Sequence, residues 1–341
     1  MRFFVLLASA SLALTLNTGC AKPLATVKET RLCLGTVVGI TAQGVSKKDI
    51  HFAVEEAFKE VASLEAILSK YDTRSDIYSI NTSTVKTKPF KVAKESFELI
   101  KKSKEFSRIS NGAFDITVLP LLELWGFGNK KVITIPTDSE IQSTLHFIGS
   151  DKIILDEDNQ AISFLHNSMK IDLGGIAKGY IVDKAAEVLK RHGVQNGLVD
   201  AGGDLYCFGG NTKNLRWRIG LQHPRNKDKI IARLELKDKA IATSGDYERF
   251  IMLEGRRFSH ILNPKTGYPV EDIPMSVTII AGDCMSADAL ATTVFVLGPA
   301  EGLTLLNNTA NVSGIIISRA PNGSYDIGLT ENLKGTIKFN L

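Results

Sequence analysis

Between residues 197 and 281 the chain supplies strand-like runs in succession, among them Leu215–Leu221, Ile230–Leu236 and Met275–Ala281, with no helical pattern between them. A doubly wound parallel sheet needs a helix after nearly every strand, so this stretch argues against that architecture and predicts an α+β fold. Further runs at Arg31–Ala42, Lys152–Leu155, Ala161–Phe164, Met169–Leu173 and Val312–Ser318 also read as strands. Phe52, Ala57, Phe58, Val61, Leu64, Ile67 and Leu68 recur at helical spacing and predict an amphipathic helix over about 47–69. Other helices are expected over Lys94–Ile109, stopped by Asn111-Gly112, over Lys178–Arg191, closed by His192-Gly193, and over Ser286–Leu297, closed by Gly298-Pro299. No stretch resembles an interdomain linker, so residues 29–341 are expected to form one compact unit.

The N-terminus reads differently. Met1-Arg2 is followed by an apolar run from Phe3 to Leu16 and then by Gly19-Cys20, the order of parts in an export signal. The run is shorter than the ~20 residues that span a bilayer, so residues 1–20 are expected to direct export rather than to stay as a transmembrane helix. Gly19-Cys20 resembles a lipoprotein processing site, which would leave Cys20 as a lipidated first residue. Asn17 stands where such sites usually have leucine, and plain signal cleavage is the alternative. Residues 21–28 read as a polar tether. Cys33, Cys207 and Cys284 are odd in number and contain no C-x-x-C pair, suggesting neither a disulfide framework nor a zinc site. With 41 basic against 37 acidic residues, the net charge of +4 is spread along the chain, so nucleic acid is not an expected partner.

Chemistry concentrates in a few clusters. Asp172-Leu173-Gly174-Gly175-Ile176-Ala177-Lys178-Gly179-Tyr180 joins a strand to a helix. Its glycines would let backbone approach a phosphate, and the helix start and Lys178 would attract negative charge. Neither a P-loop nor a dinucleotide fingerprint is present, and a tight turn with a solvated lysine fits the same spacing. Asp288 and Thr292, four apart on a helix, put a carboxylate and a hydroxyl on one face, where both can reach a hard cation. A helix start capped by Ser286 explains the same residues. His260, in Ser259-His260-Ile261-Leu262-Asn263-Pro264-Lys265-Thr266-Gly267, reads either as a general base or as a structural histidine. Ser110–Thr117, Leu124–Gly128 and Lys70-Tyr71-Asp72 set aromatic rings beside carboxylates, suited to a flat heterocycle or to ordinary packing.

The order and wording of these blocks, with Leu34-Gly35-Thr36 and Asp200-Ala201-Gly202-Gly203-Asp204, resemble the ApbE family of FAD-dependent flavin transferases over nearly the whole mature chain. The resemblance implies an ApbE-like, T-fold-related α+β architecture. It also implies transfer of FMN from FAD to a Thr or Ser hydroxyl of a redox protein, with Mg²⁺ required and AMP released. Asp172 and Lys178 would contact FAD, and the Gly175 carbonyl, Asp288 and Thr292 would hold Mg²⁺. Tyr71, Ala113, Phe114 and Asp115 would hold parts of the dinucleotide, Leu262 would line the pocket, and His260 would be the base. Leu34 stands where the family often has methionine and keeps an apolar contact. Family members are typically exported lipoproteins serving exported or membrane redox subunits, which agrees with an anchor at Cys20 and a periplasmic location at the inner membrane. Two alternatives stay open: an FAD pyrophosphatase yielding FMN and AMP, and an FAD-binding lipoprotein without turnover.

Overall fold

The run expected as one strand from Arg31 to Ala42 is in fact a hairpin. In the computed structural model, which describes residues 24–127, 134–210, 216–247, 250–253, 255–270, 274–320 and 322–340, β1 (Ala25–Cys33) turns at Leu34-Gly35 into β2 (Thr36–Gly44). The strands pair from Ala25 opposite Gly44 to Cys33 opposite Thr36. Both turn residues are left-handed, Leu34 at φ 56° and Gly35 at φ 67°, as a two-residue hairpin loop matched to the twist of its strands requires. Leucine resists that conformation by ~1 to 3 kcal/mol, and the Leu34 N–H gains a bond to Glu65 Oε1 at 2.8 Å. No Asn-Gly or Asp-Gly marks the turn, so the hydrophobic pattern runs through it unbroken. β1 also takes up Ala25–Lys28, expected as part of the tether.

Ser46 caps α1 (Lys47–Leu68), which buries Ile50, Val54, Phe58, Val61 and Leu64 on one face. After it come α2 (Asp76–Thr82), β3 (Phe90–Lys91), α3 (Lys94–Ile109), α4 (Leu119–Leu124), α5 (Asp138–Leu145), β4 (Ile153–Asp156) and β5 (Ala161–Phe164). β3, β5 and β4 form a small separate sheet. Met169–Leu173, expected as a strand, belongs to no sheet. The Asn81 side chain takes the place of a partner, accepting from Ile171 N and donating to Ile171 O, both at 2.8 Å.

α6 (Ala177–Arg191) returns the chain to the main sheet at β6 (Asn196–Ala201) and β7 (Asp204–Phe208). β8 (Trp217–His223) and β9 (Asn226–Leu236) form a hairpin of their own before β10 (Lys239–Gly245), and β11 (Phe250–Leu253) and β12 (Arg256–Ser259) form another before β13 (Ser276–Ala281). α7 (Cys284–Asn307), β14 (Ser313–Arg319) and β15 (Tyr325–Leu329) complete the chain. Among the described residues, eight strands make the main sheet in the order β1-β2-β6-β7-β10-β13-β14-β15, every neighbouring pair antiparallel, so the strands cross the sheet in chain order and the α+β expectation holds.

Both faces of this sheet are apolar, with the period of two that strands impose. Ala240, Ala242, Val277, Ile279 and Ile316 join the core beneath α1, α6 and α7, whereas Ile241, Ile280, Ile315 and Ile317 pack with Trp217, Leu221 and Leu234 of the β8–β9 hairpin. A third cluster of Leu121, Trp125, Ile141, Phe258 and Leu262 ties α4 and α5 to β12. α7 starts earlier than expected, at Cys284, capped by Asp283 rather than Ser286, and it continues past Gly298-Pro299. Gly298 leaves the helical region at φ 77°, and Pro299, which needs no N–H partner at a first helical position, restarts it. By length and composition α7 could cross a membrane, yet Ala287, Leu290, Ala291, Val294 and Phe295 are buried inside the protein.

Candidate active site

The site forms where α6 and α7 begin side by side. Asp172, at the end of the segment held by Asn81, accepts the Gly174 N–H on Oδ1 at 2.8 Å and the Lys70 ammonium on Oδ2 at 2.5 Å. Burial pulls the Lys70 ammonium down, and Asp172 together with Tyr71 more than offsets it, leaving the lysine above its ordinary value. Gly175 is packed tightly: a Cβ there would lie 3.0 Å from the Thr292 hydroxyl and 3.3 Å from the Phe114 ring. No side chain caps the start of α6. Its Gly179 N–H instead donates to Asp288 Oδ2 at 3.1 Å.

Lys178 pairs with Asp204 of β7, and the Asp200 side chain beside it accepts from the Gly203 N–H at 2.9 Å. Burial pushes the Asp288 and Asp200 carboxyls above their ordinary values. The Lys178 charge and the Gly179 N–H pull Asp288 part of the way back; the Gly203 N–H and Lys178 do the same for Asp200. One ammonium thus serves three carboxylates, and the site is negatively charged in its own right. Among the described residues, the Gly175 carbonyl, the Thr292 hydroxyl and Asp288 Oδ1 form no hydrogen bond. Carbonyl, hydroxyl and carboxylate oxygens with unspent lone pairs and surplus negative charge fit a hard cation such as Mg²⁺. Glu29, His51 and Glu55 also lie close together, but Arg31 pairs with both glutamates and makes that cluster an ion-pair network.

Beside this centre the loop Gly112–Asp115 carries Phe114 onto Gly175, while Gly112 supports the Lys265 side chain, whose Cε lies 3.6 Å from where a Cβ would be. The His260–Gly267 segment is thereby joined to the centre through one loop. The His260 ring stands edge-on to Phe127, centroids 6.5 Å apart. Ala113 is buried, Leu34 occupies the β1–β2 turn, and Tyr71 is exposed with the Lys70 ammonium 5.2 Å from its ring centroid.

Two residues of the expected set are held by the protein itself. The Asp115 carboxylate accepts from Thr117 N, Thr117 Oγ1, Ser150 N and Ser150 Oγ, at 2.6 to 2.8 Å, which fixes the loop, and Asp115 also lines a cleft beside it. The Leu262 side chain lies in the third apolar cluster, only 3% exposed, so what it offers a ligand is backbone. Lys70, Asp200 and Asp204 were not singled out by sequence. The Asp-Ala-Gly-Gly-Asp block was the available signal for the two aspartates, whereas Lys70 reaches Asp172 only through tertiary packing.

The architecture is shared with solved proteins. The ApbE protein of Thermotoga maritima matches with a TM-score of 0.82 at 34% identity, covering 91% of this chain and 98% of that one. The flavin transferase ApbE from Vibrio cholerae matches at 0.78 and 27% identity, covering 92% and 99%. Within this class of mixed helix-and-sheet proteins the assignment becomes specific: the ApbE family model matches residues 34–316, and the chain belongs to the ApbE family. The FAD:protein FMN transferase of Vibrio cholerae is 32% identical over 299 residues, 86% of this chain and 88% of that protein.

Proposed function

We propose that this chain is an Mg²⁺-dependent FAD:protein FMN transferase, moving FMN from FAD to a Ser or Thr hydroxyl of a partner protein and releasing AMP. The observation that carries this reading is that three oxygens, on Asp288, Thr292 and Gly175, form no hydrogen bond among the described residues where Gly175 packs against Thr292 and the Gly179 N–H meets Asp288, beside a lysine at a glycine turn. These residues would hold Mg²⁺, which would supply Lewis acidity toward the pyrophosphate and offset negative charge there. Lys178 adds a second positive charge, and Asp204 holds that ammonium in place. Arg108 and Lys265, neither with an ion-pair partner among the described residues, line a cleft of about 900 Å³ beside Gly112 and Pro264, with room and charge for a dinucleotide. The acceptor oxygen attacks the phosphorus of the FMN half and the bond to the AMP half breaks. AMP leaves with the electron pair, and His260 takes the hydroxyl proton.

The test incubates the purified full-length protein in detergent with FAD, Mg²⁺ and an acceptor protein bearing an exposed Ser/Thr segment. Fluorescence of the acceptor in a denaturing gel, together with free AMP, is expected. AMP with free FMN and a dark acceptor would make the enzyme a pyrophosphatase; neither product would leave a binding lipoprotein. Export and lipidation at Cys20, within residues 1–23 and outside the described ones, would hold the enzyme at the periplasmic face of the inner membrane near redox subunits. Mass spectrometry of the mature N-terminus tests this, a diacylglyceryl group on Cys20 being the expected result.

A further inference from the structure

Gly179 and Asp183, four apart, share one face of α6, and Gly175 lies just before its N-cap, Ile176. All three meet α7 or its residues. Gly175 lies against Thr292, Gly179 against the Cys284 carbonyl, and Asp183 accepts two backbone N–H groups at once: Cys284 N on Oδ1 at 2.8 Å and Met285 N on Oδ2 at 2.9 Å. The side chain of Asp283, the N-cap of α7, takes the Ser286 N–H, at 2.8 Å. A helix start leaves four N–H groups without internal partners, and the first two of α7 are satisfied by a side chain of another helix. A local cap stabilises a helix wherever that helix lies. A carboxylate on a neighbouring helix also fixes where it lies.

We propose that Asp183 is a positioning residue for the metal site: by clamping the first two amides of α7 to α6, it sets the Gly175 carbonyl against Asp288 and Thr292 so that one Mg²⁺ reaches all three. The inference rests on reading those three as metal ligands. Asp288 and Thr292 lie one and two turns beyond Cys284 on α7. A slip of one residue would move them ~1.5 Å along the axis and ~100° around it, out of reach of Gly175. The chemistry of residue 183 is specified as closely as its place. Two donors need two acceptor oxygens, so asparagine, which keeps the shape, turns an N–H₂ toward a backbone N–H. Glutamate keeps both oxygens but adds a methylene to a gap already closed by the Gly179 contact. Burial pushes the Asp183 carboxyl up to about 7, opposed by its two N–H bonds and reinforced by Asp283 and Glu187. An ordinary exposed cap would avoid that desolvation, so the placement serves more than capping.

The test compares Asp183→Asn and Asp183→Glu with the unaltered full chain. It reads Mg²⁺ binding to FAD-loaded protein by calorimetry, the Mg²⁺ dependence of FMN transfer, and hydrogen exchange of the Cys284 and Met285 amides without Mg²⁺. Asp183→Asn is expected to weaken Mg²⁺ binding about tenfold or more and to speed exchange at one of the two amides. Transfer at saturating Mg²⁺ should stay within about twofold of the unaltered rate, since no group in contact with substrate is lost. Faster exchange with unaltered Mg²⁺ affinity would overturn the positioning role, as would slower transfer at saturating Mg²⁺ with unaltered affinity. Should Asp183→Asn not fold, Asp183→Glu decides by the same readings. Absence of Mg²⁺ binding by the unaltered protein would instead sink the ligand assignment, and this role with it.

Discussion

The Gly179 N–H donates to Asp288 Oδ2 across the gap between α6 and α7, and the bond is short enough to form because residue 179 has no side chain. A Cβ there would lie 2.3 Å from the Cys284 carbonyl oxygen. Gly179→Ala therefore has to push the two helices apart. A loss of ~1 to 3 kcal/mol of stability is expected, read as a lower urea midpoint, together with weaker Mg²⁺ binding. An unchanged midpoint would mean that the helices part more easily than this contact implies.

Asp288 separates catalysis from stability. Because burial raises its carboxyl, its charge is a burden on the empty fold at neutral pH, and Asp288→Asn keeps the shape while removing that charge. The variant should unfold at or above the temperature of the unaltered protein at pH 7 to 8 and lose about a hundredfold or more of its Mg²⁺-dependent transfer. Transfer at the original rate would remove Asp288 from the metal site.

His260→Ala addresses the proton. With the FAD contacts elsewhere, the substitution should lower kcat by about 10²- to 10⁴-fold while FAD affinity, followed by flavin fluorescence, changes little. Parallel losses in both would reassign His260 to binding.

Asp183 should also leave a mark on the pH dependence of folding. Its carboxyl titrates at about 7 in the fold, against ~3.9 for an aspartate in an unfolded chain. Between these values the folded protein binds more protons than the unfolded one. This group's contribution is therefore fully present below pH ~3.9 and is lost as the pH rises through about 7. Urea midpoints for the unaltered protein and Asp183→Asn, measured without Mg²⁺ from pH 4 to 8, should diverge over that window in favour of the variant at high pH. Parallel curves would refute the assignment.

How much of this was legible in sequence depended on how local the cause was. The helix at Lys47–Leu68 was readable because Phe58, Val61, Leu64 and Leu68 repeat at its own period, and the glycine turn at 174–175 because glycine announces itself. The hairpin turn at Leu34 was hidden because leucine gives no sign of a left-handed backbone, and its Glu65 partner lies on α1. Ser286 has the residue type of a cap, but Asp283, three residues earlier, has the cap geometry and accepts the Ser286 N–H. Asp115 and Leu262 lie in the expected blocks, but the Asp115 carboxylate binds Ser150 and the Leu262 side chain joins the cluster that holds Trp125. The blocks could be recognised; which atoms within them remain available to a ligand depends on neighbours distant in the chain.

Val38 of β2 lies opposite Ala201 of β6, and between them the chain builds α1 through α6 and a small sheet. Strands from β6 onward meet partners nearby in sequence and can zip up early, whereas β2 must wait for a long loop to close. Thr36, at the start of β2, is the residue against which Gly202 packs, beside Asp200 and Asp204. The end of the main sheet that carries Asp200 and Asp204 therefore closes across the longest loop between its paired strands. Until β2 and β6 pair, an unpaired strand edge is open to wrong partners.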